Sequence, residues 1–202
     1  MKTNIILSGV GGQGILTIAA VLDTAALSEN LFVKQSEVHG MSQRGGAVQS
    51  HVRISDKEIF SDLIPEGKAD LILSVEPMEL LRYMPYLHKY GWLVTDSESF
   101  INTSNYPEKE DLFDQIRKHP YHLIVNATEI AKKIGNSKVA NMVLLGAASA
   151  IIPLSESSIL EAIKELFQHK SERIIKLNIE AFNEGKKVAE GITNLPAGKE
   201  ID

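Results

Sequence analysis

Residues 5–14 read Ile5-Ile6-Leu7-Ser8-Gly9-Val10-Gly11-Gly12-Gln13-Gly14, and residues 15–29 follow with Ile15, Ile18, Ala19, Leu22 and Ala26 on one helical face. A short apolar run, a glycine-rich turn and an amphipathic helix spell strand, turn, helix. Gly9, Gly11 and Gly14 fit the G-x-G-x-x-G spacing at the one place where that spacing has physical meaning, between a strand and a helix. Glycine permits the tight turn and lets another group approach the backbone without an intervening side chain. The free N–H groups at the start of the helix then favour a phosphate or a carboxylate. Glycines that serve only close strand–helix packing are the plainer reading of the same residues.

Outward from this turn, residues 32–36 form a second strand and complete a β-α-β unit in about thirty residues. Residues 38–46 are polar and glycine-rich. Residues 47–54 alternate as a strand, with Val48, Ser50, Val52 and Ile54 on one face, and 57–63 pair with them as a hairpin across Ser55-Asp56. Residues 69–75 are almost continuously apolar, as a strand covered on both faces requires. Pro77 opens a helix to about residue 87, 92–95 are a strand and 102–110 an exposed loop. Then come a helix over 112–118, a strand over 122–126 and a helix over 128–134. Residues 139–152 are apolar nearly all round, which suits a buried core or interface helix. Residues 155–191 read as helical, starting at Ser155-Glu156-Ser157-Ser158, and a disordered tail is expected over 193–202. The expected fold is one domain over 1–192: a three-layer α/β/α arrangement with a mixed, mostly parallel sheet, a Rossmann-like start and a helical C-terminus.

Composition removes several function classes. A net charge of −5 offers no basic excess to hold a nucleic acid backbone. With no cysteine, the chain cannot ligate an iron–sulfur cluster through its own thiolates, form a disulfide or use a thiol nucleophile. The longest apolar stretch, 142–154, is broken by Gly146, Ser149 and Pro153 and falls short of the roughly 18 residues of a membrane span. A cytoplasmic protein is expected. His51, His88, His119, His122 and His169 show no metal-ligand spacing, and no metal site is expected.

A second chemical segment is Ser36-Glu37-Val38-His39-Gly40-Met41-Ser42-Gln43-Arg44-Gly45-Gly46. Arg44 carries a planar donor fork suited to phosphate or carboxylate, and Gly45 and Gly46 free two more backbone donors. His39 is the residue type suited to proton exchange near neutral pH, and Glu37 is placed either to orient it or to pair with Arg44. Glu37 also stands roughly where a dinucleotide fold keeps its ribose-binding acid, although no ordinary helix follows it. A loop folded on itself through an Arg–Glu pair is the plainer alternative. Glu76 and Asp96 sit at strand ends, where ligands bind in α/β folds but where helix N-terminal carboxylates are also common. Asn141 and Met142, at the start of the apolar helix, are weaker candidates for the same cleft.

The two glycine motifs, in this order and followed by a strand like 48–54, resemble the gamma-type domain of the 2-oxoacid:ferredoxin oxidoreductases, over about residues 3–190. The resemblance implies an enzyme that decarboxylates a 2-oxoacid on thiamine diphosphate, passes electrons through iron–sulfur clusters to ferredoxin and transfers the acyl group to coenzyme A. It implies that thiamine diphosphate and the clusters sit on a large partner subunit, with no cofactor assigned to this chain alone. The 2-oxoacid, an arylpyruvate, is implied by similarity only. On this reading Arg44, His39 and Glu37 are the catalytic candidates. Gly9, Gly11, Gly12, Gln13, Gly14, Ser42, Gln43, Gly45 and Gly46 are the candidates for holding the anionic parts of coenzyme A or the 2-oxoacid. Two rivals stay open: a self-contained NAD(P)- or flavin-binding oxidoreductase built on 9–14, and a non-catalytic scaffold subunit whose loops are buried in an interface.

Overall fold

The structure is a computed structural model and describes residues 1–39, 46–102 and 104–190. Six strands form one sheet in the order β2-β3-β1-β4-β5-β6. They are β1 (Lys2–Val10), β2 (Phe32–His39), β3 (Ala47–Ser55), β4 (Ala69–Ser74), β5 (Leu87–Asp96) and β6 (His122–Val125). β1, β4, β5 and β6 run parallel, while β3 runs antiparallel to both β1 and β2. The sheet is therefore mixed and mostly parallel.

The pleat sends alternate residues to opposite faces, and both faces are covered. Ile5, Leu7, Leu71, Leu73, Trp92 and Val94 pack on one side. There they meet helices α1 (Ile15–Ser28), α4 (Ala127–Ile134), α5 (Ala140–Ala148), α6 (Glu156–Leu166) and α7 (Glu172–Glu190). On the other side Ile6, Ile72 and Leu93 meet Leu80 of α2 (Pro77–Arg82) and Phe113 and Ile116 of α3 (Lys109–Arg117). These are the three layers expected. Residues Asn141–Ala148 of α5 are all buried, so the apolar stretch is a core helix. α5 and α7 cross backbone to backbone: a Cβ on Gly146 would lie 1.9 Å from the Phe182 carbonyl oxygen, and one on Gly185 equally close to that of Val143.

Five expectations need correction. The β1-α1-β2 unit exists, but β3 stands between its two strands. Residues 57–63 are no strand, because β3 already has both edges paired. Instead the carbonyls of Ser61 and Leu63 accept from the buried guanidinium of Arg53, at 2.7 and 3.1 Å. The helix from Pro77 ends at Arg82 and gives way to a 3-10 turn over Met84–Tyr86, since Pro85 lacks the N–H that a continuing helix needs. β5 accordingly starts at Leu87, earlier than the expected 92. The C-terminal helical stretch is two helices; α6 ends at Leu166 with Phe167 as its C-cap, and the Ser171 carbonyl accepts from Ile174 and Ile175 to start α7. The tail over 193–202 lies outside the described residues.

Candidate functional site at the C-terminal edge of the sheet

β1, β2, β4, β5 and β6 all finish at one edge of the sheet, and the antiparallel β3 begins there. The pairing places Val10 opposite Ala47 and His39 opposite Val48, so the glycine turn after β1 adjoins both ends of the β2–β3 connection. The two motifs touch: the Gly11 N–H donates to the Gly46 carbonyl at 2.9 Å. Glu37 is half-buried on β2 opposite Ser50. His39 ends β2, and Ser42, Gln43, Arg44 and Gly45 lie outside the described residues.

The glycines of the turn do different work. A Cβ on Gly9 would lie 2.4 Å from Val75 Cγ2 and 2.8 Å from Ile15 Cδ1, so this glycine serves strand–helix packing. Gly14 caps α1 in the left-handed region, with φ +81°, and a Cβ there would meet Asn141 Nδ2 at 2.5 Å. Gly12, with φ +99°, has open space where its Cβ would be. Backbone approach by a ligand is therefore possible at Gly12, while Gly9 and Gly14 are fixed by packing. Gln13 is a loop clamp: its Oε1 accepts from the Val10 N–H at 2.7 Å, and its own N–H donates to the Val10 carbonyl at 3.1 Å. The Thr17 and Ile18 N–H groups donate to the Gly14 carbonyl. The N–H groups of Ile15 and Leu16 find no partner among the described residues, as expected for the first turn of a helix. A 14-residue helix thus directs these N–H groups and the positive end of its dipole toward this edge.

Neighbouring elements hold the turn in place. Asn141, nearly buried at the start of α5, donates from Nδ2 to the Gly14 carbonyl at 3.1 Å. Ser74 Oγ donates to the Ser8 carbonyl at 3.1 Å, and the Val75 N–H donates to the same oxygen at 3.0 Å. Beyond Val75 the fully buried Glu76 caps α2, its Oε2 accepting from the Glu79 N–H at 2.7 Å. Its Oε1 accepts from Tyr106 Oη and from the Phe100 N–H. Burial pushes the Glu76 carboxyl up from the usual carboxylate range, against the opposing pull of these hydrogen bonds. Asp96 caps α4 by accepting from the Ala127 and Thr128 N–H groups at 3.1 Å each and from Thr128 Oγ1, and burial raises its carboxyl too. Both acids are helix N-terminal carboxylates. For Glu76 the sequence signature, an acid at a strand end directly before a helix, was readable; the reach of Asp96 to α4 across 31 residues and of Tyr106 back to Glu76 across 30 had no local signal.

The histidines have structural surroundings. Buried His51 accepts from the Ile64 N–H at Nδ1, packs edge-on against Tyr86, and has its ring held below the usual histidine range by burial. His119 and His122 bond to backbone carbonyls of Gly91 and His119. A standard dinucleotide site is not built here. It requires the acid on the parallel strand beside β1, but that place is taken by antiparallel β3, which sets Glu37 one strand, roughly 5 Å, further off. Among the described residues no helix is long and apolar enough to cross a membrane.

The family model for pyruvate ferredoxin/flavodoxin oxidoreductase matches residues 4–188. The chain is 38% identical over 194 residues to the indolepyruvate oxidoreductase subunit IorB of Archaeoglobus fulgidus, covering 92% of this chain and 94% of that one. The crystal structure of the gamma subunit of a keto/oxoacid ferredoxin oxidoreductase from Geobacter sulfurreducens superposes with a TM-score of 0.72 at 28% identity, covering 94% of this chain and 99% of that one. The fold also matches the 2-oxoglutarate:ferredoxin oxidoreductase of Magnetococcus marinus, with a TM-score of 0.78 at 22% identity. There the match covers 95% of this chain but only 32% of the other, so the chain spans about a third of that longer polypeptide. The chain belongs to the pyruvate ferredoxin/flavodoxin oxidoreductase family, as a subunit of a 2-oxoacid:ferredoxin oxidoreductase with a larger catalytic partner.

Proposed function

We propose that this chain is the small (beta) subunit of an indolepyruvate:ferredoxin oxidoreductase and closes one side of an active-site cleft shared with the large subunit. Identity to an indolepyruvate oxidoreductase subunit along nearly the whole chain supports the arylpyruvate assignment. On this reading a single gamma-type domain over 1–192 works in the cytoplasm. Thiamine diphosphate and iron–sulfur clusters belong to the large subunit, ferredoxin takes the electrons, and coenzyme A takes the acyl group. The complete lack of cysteine fits clusters carried elsewhere.

The observation that carries the reading is the hydrogen bond from Gly11 to Gly46. It brings the glycine turn, with its outward N–H groups, together with the end of the segment that holds Arg44. Gly12 and the start of α1 then receive an anionic group of coenzyme A or the 2-oxoacid. Arg44, with Ser42, Gln43 and Gly45, adds a cation and further donors, while Glu37 and His39 orient that segment and supply a proton-exchanging group. Thiamine diphosphate, when bound, supplies the decarboxylation chemistry; this chain's residues bind and orient the anions and exclude water from one side of the cleft.

The test is purification through a tag on this chain, followed by assay of viologen dye reduction with a panel of 2-oxoacids. A large iron–sulfur partner and arylpyruvate-dependent reduction are expected. The Arg44→Ala complex should assemble normally and lose turnover by tenfold or more; unchanged kinetics in that complex would refute the role of Arg44.

A further inference from the structure

α1 has the composition of a buried helix in a surface position. One of its fourteen residues is charged, Asp23, against four of eleven in α6 and eight of nineteen in α7. α5 carries no charge, but there Asn141–Ala148 are all buried. On α1, by contrast, Leu16 is 43% and Leu27 62% exposed, with Ala20 and Asp23 half-buried between them. A helix face left to water ordinarily carries charged and polar residues. Asp23 does little to supply that charge: its Oδ1 is buried with no hydrogen-bond partner among the described residues, and burial pushes the carboxyl up to about 6.

Leu16, Ala20, Asp23 and Leu27 stand four, three and four residues apart, so they share one side of the helix. That spacing reads the same from either end. Two copies laid antiparallel about a two-fold axis, level with the Val21–Leu22 peptide, set Leu16 of each against Leu27 of the other. The same operation sets Ala20 of each against Asp23 of the other, where the small side chain leaves room. The spacing also suits two helices crossing at about 20°.

We propose that α1 is the contact between two copies of this chain, packed antiparallel through Leu16, Ala20, Asp23 and Leu27. A two-fold contact must be complementary to itself, and this stripe meets that condition with both surfaces in view. The proposal goes beyond the cleft reading and does not depend on it. Each helix is about 21 Å long, and such a pair falls short of the roughly 1,200 Å² of a standard interface. The contact therefore works inside the larger enzyme and not as a free-standing dimer. The two Asp23 carboxyls, three residues apart along the pair, weaken it by like-charge repulsion.

The native chain has no cysteine, so introduced thiols are the only ones it carries. The experiment oxidises the full chain in complex with its large subunit and reads covalent products on a non-reducing gel. A disulfide needs Cα atoms within about 7 Å. Leu16 and Leu27 of one chain are about 16 Å apart along the helix, and so are the two Leu16 residues of the pair. A chain carrying both Leu16→Cys and Leu27→Cys should therefore give covalent dimers of this chain, and either substitution alone at least tenfold less. Adding Ala20→Arg to the double variant should lower the yield at least tenfold with an unchanged melting curve. Adding Asp23→Asn should raise the cross-linking rate several-fold. No dimer from the double variant overturns the proposal, as does equal yield from the single variants or indifference to Ala20→Arg. Thiols that are shielded from an alkylating reagent in the complex yet do not cross-link would assign this face to the large subunit and overturn it equally. None of these failures touches the cleft reading, which Arg44→Ala tests separately.

Discussion

Where β1 begins, Arg53 donates to Asn4 Oδ1 at 3.0 Å and to the carbonyls of Ser61 and Leu63, while the Asn4 N–H donates to Asp70 Oδ2 at 2.8 Å and Asn4 Nδ2 to the Lys68 carbonyl. A cleft of about 700 Å³ opens there, lined by Asn4, Arg53, Asp56, Phe60, Asp70 and His88. Where β1 finishes, the glycine turn closes on itself through Gln13 yet leaves the first N–H groups of α1 facing outward. This hollow and the first N–H groups of α1 therefore lie at opposite ends of one sheet. A large pocket is the default place to look for a ligand. At this end, however, Arg53 and Asn4 are already engaged in fixing the 57–68 connection. On the proposed reading, binding follows the N–H groups at the other end, which no described residue occupies.

That contrast can be broken by substitution, and the largest effect is expected at the N-terminal end. Arg53→Ala leaves the Asn4, Ser61 and Leu63 oxygens without their charged donor and should cost about 3 kcal/mol of unfolding free energy in urea. Turnover of the assembled enzyme should stay within twofold. A large kinetic defect with intact stability would instead place a site in the cleft.

At the other end the two conformationally strained glycines should separate. Gly14→Ala forces a Cβ into the left-handed region and against Asn141, and should cost about 2 kcal/mol. Gly12→Ala meets only open space and should cost about 1 kcal/mol. It should nevertheless lower turnover by tenfold or more, because the new methyl stands where a ligand approaches the backbone. Normal turnover in Gly12→Ala would leave the turn with a packing role alone.

The smallest effect is a slope with pH. Burial raises the folded Glu76 carboxyl above its unfolded value, so the folded state holds that proton more tightly. Its contribution to stability is therefore greatest at low pH and declines as pH rises from about 4.5 through the raised folded value. The stability difference between the wild type and Glu76→Gln should shift in favour of the variant as pH is raised, in urea titrations between pH 4.5 and 7.5. A shift in the opposite direction would mean that the hydrogen bonds from Tyr106, Glu79 and Phe100 outweigh desolvation.

The sequence by itself determined the layered α/β class, the strand–turn–helix start and the buried character of α5, because periodicity and continuous apolarity are local records of which faces are covered. It also delivered the two motifs, since glycine and arginine chemistry is legible residue by residue. Only the tertiary structure decided strand order, and with it the insertion of β3 between β1 and β2, which removes Glu37 from the dinucleotide position. Nothing within residues 57–63 announces that β3 has no free edge left to pair with them. The contact of Gly11 with Gly46, the clamp of Asn141 on Gly14 across 127 residues and the grip of Glu76 on Tyr106 are likewise long-range. Each depends on where the sheet brings chain ends together, and no local pattern of residue types encodes that meeting.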